Sequence, residues 1–366
     1  MDDEFFMKRT LRLAAKGRFS TSPNPMVGAV IVKSKKIISE NFHRKPGDLH
    51  AEALAIENAD KNAHGSTLYV NLEPCCHLEK RTPPCTKAII NAGIKEVVVG
   101  MIDPNPKVSG KGILELQKSG IKVKTGILED KAKRLNETYI KYITTGKPFM
   151  TLKIAMTLDG KIATPEGQSK WITGEKSRKM VHRMRASVDA IITAIGTVKA
   201  DDPQLTARIK GGKNPKRIII DPDLEIPLHA KVLQIPPETI IVTRTSEVKS
   251  QKSKVEKKKK LLSDKSINII EYEGEKVNLD WLIKKLGEIE MTSVLIEGGS
   301  SLNAHALEDG IVDKILFFIA PKIIGGRESF PSVGGRAFKK IEDAYRIKDL
   351  KVKKIGEDIL IEGYIK

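Results

Sequence analysis

Two hydrophobic spacings alternate along the chain. Met7, Leu11, Ala14 and Ala15 recur at helical spacing, and "TSPNP" (21–25) breaks that helix. "MVGAVIV" (26–32) reads as a buried strand, "KSKK" as a turn and "IIS" (37–39) as a second strand. "HAEALAIENA" (50–59) predicts a helix, "TLYVNL" (67–72) a strand, "TKAIINAG" (86–93) a helix ending on its glycine, and "EVVVG" (96–100) a strand. "GILELQKSG" and "IKVKTG" add one more helix and strand. Interleaved strands and helices predict an α/β sandwich.

"TTGKPF" (144–149) makes a glycine–proline break, which places domains at 1–145 and 148–366. Beyond it, apolar strands are expected at 149–157, 190–195, 217–221, 239–243, 267–271, 293–299 and 314–320. Helix-like stretches separate several of them, so the second domain is also α/β. No repeat period is visible.

The 366-residue length agrees with two domains of ordinary size. Apolar residues at 40 % and charged residues at 30 % fit a soluble globular protein. The N-terminus begins acidic and lacks an unbroken apolar core, so no signal peptide is expected. No run approaches the roughly 20 apolar residues of a membrane span, and no membrane partner is expected. Three cysteines clustered between 75 and 85 make no disulfide framework, which points to the cytoplasm.

The net charge of +18 raises phosphate-bearing partners. "KSQKSKVEKKKK" (249–260) holds seven lysines and one glutamate and reads as a solvated loop. Aromatics are 5 %, with no aromatic–basic interleaving for stacking unpaired bases. A small anionic substrate therefore suits the charge better than nucleic acid. A homo-oligomer is left open.

"EPCCHLEKRTPPC" (73–85) contains all three cysteines. "HAE" (50–52) precedes it by about 20 residues, at the start of a predicted helix, and Cys85 opens the next helix. Two thiolates and one imidazole at helix N-termini make a three-ligand zinc site with one position open for water. Glu52 is not needed as a ligand; it can take a proton from that water and deliver it to a leaving amine. This H-x-E … P-C … C order is that of zinc-dependent base and nucleoside deaminases. Their usual cysteine spacing is C-x-x-C, whereas nine residues lie between Cys75 and Cys85 and eight between Cys76 and Cys85. A Cys75–Cys76 redox pair would form a strained ring in a compartment that keeps thiols reduced. A structural zinc with His77 as fourth ligand would leave Glu52 without a role.

"TSPNPMVGAVIV", "LHAEALAI", "LEPCCHLEKRTPPC" and "DPNPKVSGKG" resemble the deaminase half of the bifunctional riboflavin-biosynthesis deaminase–reductase family. The resemblance implies a cytidine-deaminase-like three-layer α/β/α fold and zinc on His50, Cys75 and Cys85, with Glu52 as proton shuttle. It implies hydrolysis of the 2-amino group of a phosphorylated diaminopyrimidine. Asn24, His43, His77 and Asn105 are the implied base, ribose or phosphate contacts, and Lys80 or Arg81 could reach the phosphate. The family commonly has one residue fewer between "EPC" and "TPPC". That insertion leaves Cys76 as the alternative ligand in a shifted register.

Beyond 148 there is no G-x-G-x-x-G after a first strand. "SVLIEGGSSLNAHAL" (293–307) gives instead a strand, two glycines, two serines and a helix, whose exposed N–H groups can bind phosphate. With "LKIAMTLDGKIAT", "SKWIT", "HRMRASVDAIITAIGTVKADDPQLTAR" and "APKIIGG", it resembles the family's reductase half. That implies a dihydrofolate-reductase-like α/β fold and NADPH. Ala155, Trp171, Thr197 and Asp201 would touch the cofactor, with Gly299, Ser300, Ser301 and Leu302 at its pyrophosphate. Ser169, Arg185, Leu205, Arg208 and Glu297 would hold the substrate, the two arginines as a forked phosphate clamp. Lys153, two residues before Ala155 on one strand face, is the candidate proton donor to the sugar-ring oxygen. Arg244 is a candidate for the 2′-phosphate.

Overall fold

The computed structural model describes residues 2–77, 83–245 and 249–365. The chain divides into two compact units, Met1–Gly146 and Lys147–Lys366. In the first, the elements are α1 (Asp3–Ala14), β1 (Gly28–Lys33), β2 (Lys36–Phe42), α2 (Ala51–Ala59), β3 (Thr67–Leu72), α3 (Cys85–Asn91), β4 (Glu96–Met101), α4 (Lys111–Lys118), β5 (Lys122–Thr125), α5 (Glu129–Leu135) and α6 (Glu137–Thr145). Five strands form one sheet in the order β2-β1-β3-β4-β5, with β3, β4 and β5 parallel.

Strand periodicity builds three layers. Ala29, Ile31, Leu68, Val70, Val97 and Val99 face α2, α3 and Leu116 of α4. Their alternates Val30, Val32, Tyr69 and Val98 face Phe6, Met7 and Leu13 of α1. Parallel β3 and β4 align the chain ends that follow them, with Cys75 just beyond β3 and Cys85 opening α3.

The second unit holds β6 (Phe149–Thr157), β7 (Lys161–Ala163), α7 (Glu175–Ala186), β8 (Ala190–Ala194), α8 (Ile195–Asp201), β9 (Lys216–Ile220), β10 (Thr239–Arg244), α9 (Lys249–Ser263), β11 (Asn268–Tyr272) and α10 (Leu279–Glu288). It continues with β12 (Ser293–Ile296), α11 (Ser300–Glu308), β13 (Lys314–Ala320), β14 (Phe330–Pro331), β15 (Ile347–Ile355) and β16 (Asp358–Ile365). Its main sheet runs β11-β10-β9-β8-β12-β6-β13-β16-β15. The seven strands from β11 to β13 are parallel, and the last two are antiparallel. One face packs on α10 and α11. Val198, Val255 and Leu262 cover part of the other, beside Val181 of α7. The chain order reverses between β8 and β12, and a crevice at such a switch point is where open α/β sheets bind ligands.

The lysine-rich run corrects the expectation of a loop: it is helix α9. Val255 and Leu262, two turns apart, dock on the core, with Leu262 fully buried. Lys258 caps the Leu224 carbonyl, and Lys259 pairs with Glu256 and Glu271. Two apolar anchors suffice for an otherwise charged helix once a sheet lies beneath it. The β15–β16 ribbon and the helices α5 and α6 have no counterpart in the sequence reading. Among the described residues, no helix is long and apolar enough to cross a membrane.

Candidate active sites

His50 is the N-cap of α2, Cys85 the first residue of α3, and Cys75 follows β3 by three positions. His50 Nδ1 lies 3.2 Å from the Cys85 sulfur and 3.5 Å from that of Cys75. All three ligand atoms lie within 4.8 Å of one another. Tetrahedral zinc with bonds of about 2.05 Å to nitrogen and about 2.3 Å to sulfur sets N···S edges of about 3.5 Å, so the set fits zinc. The Cys85 amide also points at the Cys75 sulfur (3.5 Å), as a thiolate needs. The triad contains Cys75 and leaves out Cys76. Cys75→Ser is expected to lose the metal and Cys76→Ser to keep about one zinc per chain, as metal analysis will show.

Glu52, in the first turn of α2, is 3 % exposed. Its Oε2 is buried without a hydrogen-bond partner among the described residues. Burial pushes its carboxyl above the usual range, and the Cys75 sulfur adds to that against the opposing His50. An orphaned carboxylate oxygen beside a three-ligand set suits a group that handles protons of a bound water.

His43 stacks edge-on to His50, with ring centroids 5.4 Å apart. Asn24 Nδ2 lies 3.0 Å from His43 Nε2, and Nδ1 lies 3.3 Å from the Leu49 carbonyl. An amide donating to Nε2 leaves the proton on Nδ1, so the pair fixes one tautomer. His77 follows the cysteines and is half-buried. Asn105 is half-buried, and its Oδ1 accepts the Lys107 N–H at 3.0 Å. Lys80 and Arg81 lie outside the described residues.

Several residues that build this pocket were not singled out in the sequence. Asn71 and Asn136 bracket Met26 with hydrogen bonds of 2.8–3.0 Å, holding the loop that carries Asn24. Tyr139 bonds Asp103, and Glu73 accepts three backbone amides. Asn136 and Tyr139 lie in the α5–α6 region, where no clear hydrophobic period announced an element.

In the second unit, Lys153 on β6 and Glu297 beyond β12 lie 3.7 Å apart. Arg185, at the end of α7, holds both Glu297 oxygens at 2.7 and 2.8 Å and also reaches the Thr206 carbonyl at 3.3 Å. Arg185, expected as one arm of a two-arginine clamp, thus directs its fork at the Glu297 carboxylate. Arg208 remains exposed, bonded only to the neutral partners Thr206 and Gln204 among the described contacts.

Burial pulls the Lys153 ammonium down, Glu297 pulls it back up, and Arg185 lowers it further. Burial works against the Glu297 carboxylate too, yet Arg185 and Lys153 hold it down to about 2. A depressed folded-state value stabilises the fold above the ordinary value of 4.5, and that stability is lost as pH falls toward 2. Denaturant melts should therefore show the stability of wild type over Glu297→Gln shrinking below about pH 4.5.

Ser169 donates to Asp201 at 3.0 Å. Trp171 is 63 % exposed with the Arg178 guanidinium 4.7 Å from its ring centre, so the indole lies at the surface and not in the core. Gly299 caps α11, and a Cβ there would lie 3.9 Å from Thr197 Oγ1, placing Thr197 beside the N–H groups of Ser300, Ser301 and Leu302. Ala155 is half-buried and packs beside the cluster of Val181 and Phe318. Leu205 is buried in the core with φ 53°. Arg244 is paired with Asp223, so the 2′-phosphate role expected of it meets an occupied side chain.

A His–Cys–Cys set with a buried glutamate under a parallel sheet edge defines a zinc-dependent deaminase. A phosphate-type glycine–helix turn and a buried Lys–Glu–Arg cluster define a reductase-type second unit. Residues 1–101 match the cytidine and deoxycytidylate deaminase zinc-binding region, and 148–361 match the RibD C-terminal domain. The riboflavin biosynthesis protein RibD of Aquifex aeolicus is 45 % identical over 98 % of this chain and 97 % of its own length; that of Escherichia coli K12 is 38 % identical, covering 99 % of both. RibD of Acinetobacter baumannii has a TM-score of 0.89 at 37 % identity, covering 100 % of this chain and 99 % of its own. A Thermotoga maritima structure described as a diaminohydroxyphosphoribosylaminopyrimidine deaminase/5-amino-6-(5-phosphoribosylamino)uracil reductase has a TM-score of 0.85 at 36 % identity over 100 % of this chain and 99 % of that one. The chain belongs to the RibD family, the bifunctional deaminase–reductases of riboflavin biosynthesis.

Proposed function

We propose that the first unit hydrolyses 2,5-diamino-6-(5-phosphoribosylamino)pyrimidin-4(3H)-one at its 2-amino group. The second unit then reduces the ribosyl group of 5-amino-6-(5-phosphoribosylamino)uracil to ribityl. The Thermotoga maritima relative is described as a deaminase and a reductase of such phosphoribosylaminopyrimidines. The observation that carries the reading is the buried, orphaned Glu52 oxygen beside His50, Cys75 and Cys85. The substrates are small phosphorylated pyrimidines, and the reaction belongs to the cytoplasm.

His50, Cys75 and Cys85 would hold a zinc ion, which would supply the Lewis acidity that activates water near neutral pH. Glu52 takes the proton of the attacking water and returns it to the departing amine, so one carboxyl serves both halves of the reaction. His43, fixed in one tautomer between Asn24 and the Leu49 carbonyl, orients the Asn24 side-chain amide, which faces the pyrimidine. His77, and Asn105 through its loop, line the same pocket.

NADPH supplies the hydride. Gly299, Ser300, Ser301 and Leu302 offer the α11 amides to its pyrophosphate, and Ala155, Trp171, Thr197 and Asp201 flank it. Ser169, Leu205 and Arg208 hold the substrate, with Arg208 as the phosphate-binding cation. Arg185 orients Glu297, and Glu297 holds Lys153, whose proton goes to the ring oxygen as the sugar opens. Lowering the Lys153 pKa makes that transfer easier. Stripping the metal with a chelator should stop ammonia release yet leave NADPH oxidation on the deaminated substrate intact. Loss of both together would contradict two separate sites.

A further inference from the structure

One carboxylate closes a wall of the deaminase pocket. The segment from Asp103 to Gly110 carries Asn105 and Val108, and Val108 packs with Cys75 and Cys85. The segment belongs to no strand or helix, so its buried amides need other partners. Glu73, 3 % exposed, supplies them at both ends. Its Oε2 accepts the N–H groups of Asp103 at 3.1 Å and Gly110 at 2.9 Å, and its Oε1 accepts that of Ile113 at 3.2 Å. At Gly112 a Cβ would lie 2.2 Å from the carbonyl of Pro74, the residue before Cys75, so only glycine allows this approach.

The interior of the segment is tied as firmly. Tyr139 Oη donates to Asp103 Oδ1 at 2.9 Å, and the same oxygen accepts the Asn105 N–H at 2.9 Å. Asp103 and Tyr139 are both buried. Tyr139 is thus linked to Asn105 through the shared Asp103 oxygen.

We propose that Glu73 and Tyr139 are positioning residues for deamination, fixing the Asp103–Gly110 segment as the pocket wall that receives the aminopyrimidine. This rests on the deaminase reading above. Neither residue binds the metal or moves a proton. They set the distance between the wall and the thiolates, and through it the fit of the ring.

Glu73→Gln is the test. Both oxygens accept amides, so either orientation of the new amide sets an N–H against a backbone N–H. The variant should keep about one zinc per chain. Its KM for ammonia release should rise about tenfold with kcat changed far less, the signature of lost binding geometry. NADPH oxidation on the deaminated substrate should be unchanged, and hydrogen exchange at Asp103, Gly110 and Ile113 should accelerate. Tyr139→Phe should move KM the same way by less. An unchanged KM despite faster exchange would overturn the proposal, as would zinc loss from folded Glu73→Gln. If Glu73→Gln fails to fold, an unchanged KM in Tyr139→Phe overturns it. A wild-type chain that releases no ammonia would overturn the deaminase reading instead, so the two failures are distinguishable.

Discussion

Glu52→Gln should lower ammonia release by about 10²–10⁴-fold, the range of a lost general acid–base, while zinc content stays near one per chain. The amide fits the same space but can neither accept the water's proton nor return it to the amine. The metal set does not include Glu52, so the ligands stay in place. Reduction of the deaminated substrate should proceed at the wild-type rate. Ammonia assay, metal analysis and NADPH absorbance on one preparation separate these outcomes. Normal deamination by this variant would remove Glu52 from the mechanism.

Lys153→Ala carries the second large effect. It should lower NADPH oxidation by a similar 10²–10⁴-fold and leave ammonia release untouched. The loss has two parts. The proton donor to the ring oxygen is gone, and buried Glu297 keeps only Arg185 as counter-charge. Lys153→Arg keeps the charge but is a far weaker acid than the buried lysine, so it should rescue folding and not rate. In wild type, the alkaline fall of the reductase profile should lie below the ordinary lysine value of 10.5, since burial lowers this ammonium. A profile flat through that region would remove Lys153 as the acid.

The sequence made the framework legible because its signals are local. Short apolar runs such as 67–72, 149–157 and 314–320 match β3, β6 and β13 residue for residue, since a strand buried on both faces is marked by its own apolar run. His50, Glu52 and the cysteines were legible because metal chemistry restricts residue type and spacing. Cys75 and Cys76 were separable only by the resemblance; the fold then turned one sulfur toward His50. What stayed hidden depends on distant partners. The pairing of Arg185 with Glu297, over a hundred residues away, left no mark in the sequence around either residue. The lysine-rich α9 is helical because a sheet lies beneath Val255 and Leu262. Glu73 and Tyr139 act through backbone amides and buried side chains that no motif marks.

The central claim is that two separate sites act in sequence on one chain. Its most direct test is a coupled assay on the diaminopyrimidine phosphate, following ammonia and NADPH independently. One ammonia per substrate should appear at the same rate with or without NADPH, and one NADPH per substrate should be consumed after a lag. NADPH oxidation without prior ammonia release, or ammonia release that requires NADPH, would contradict the account.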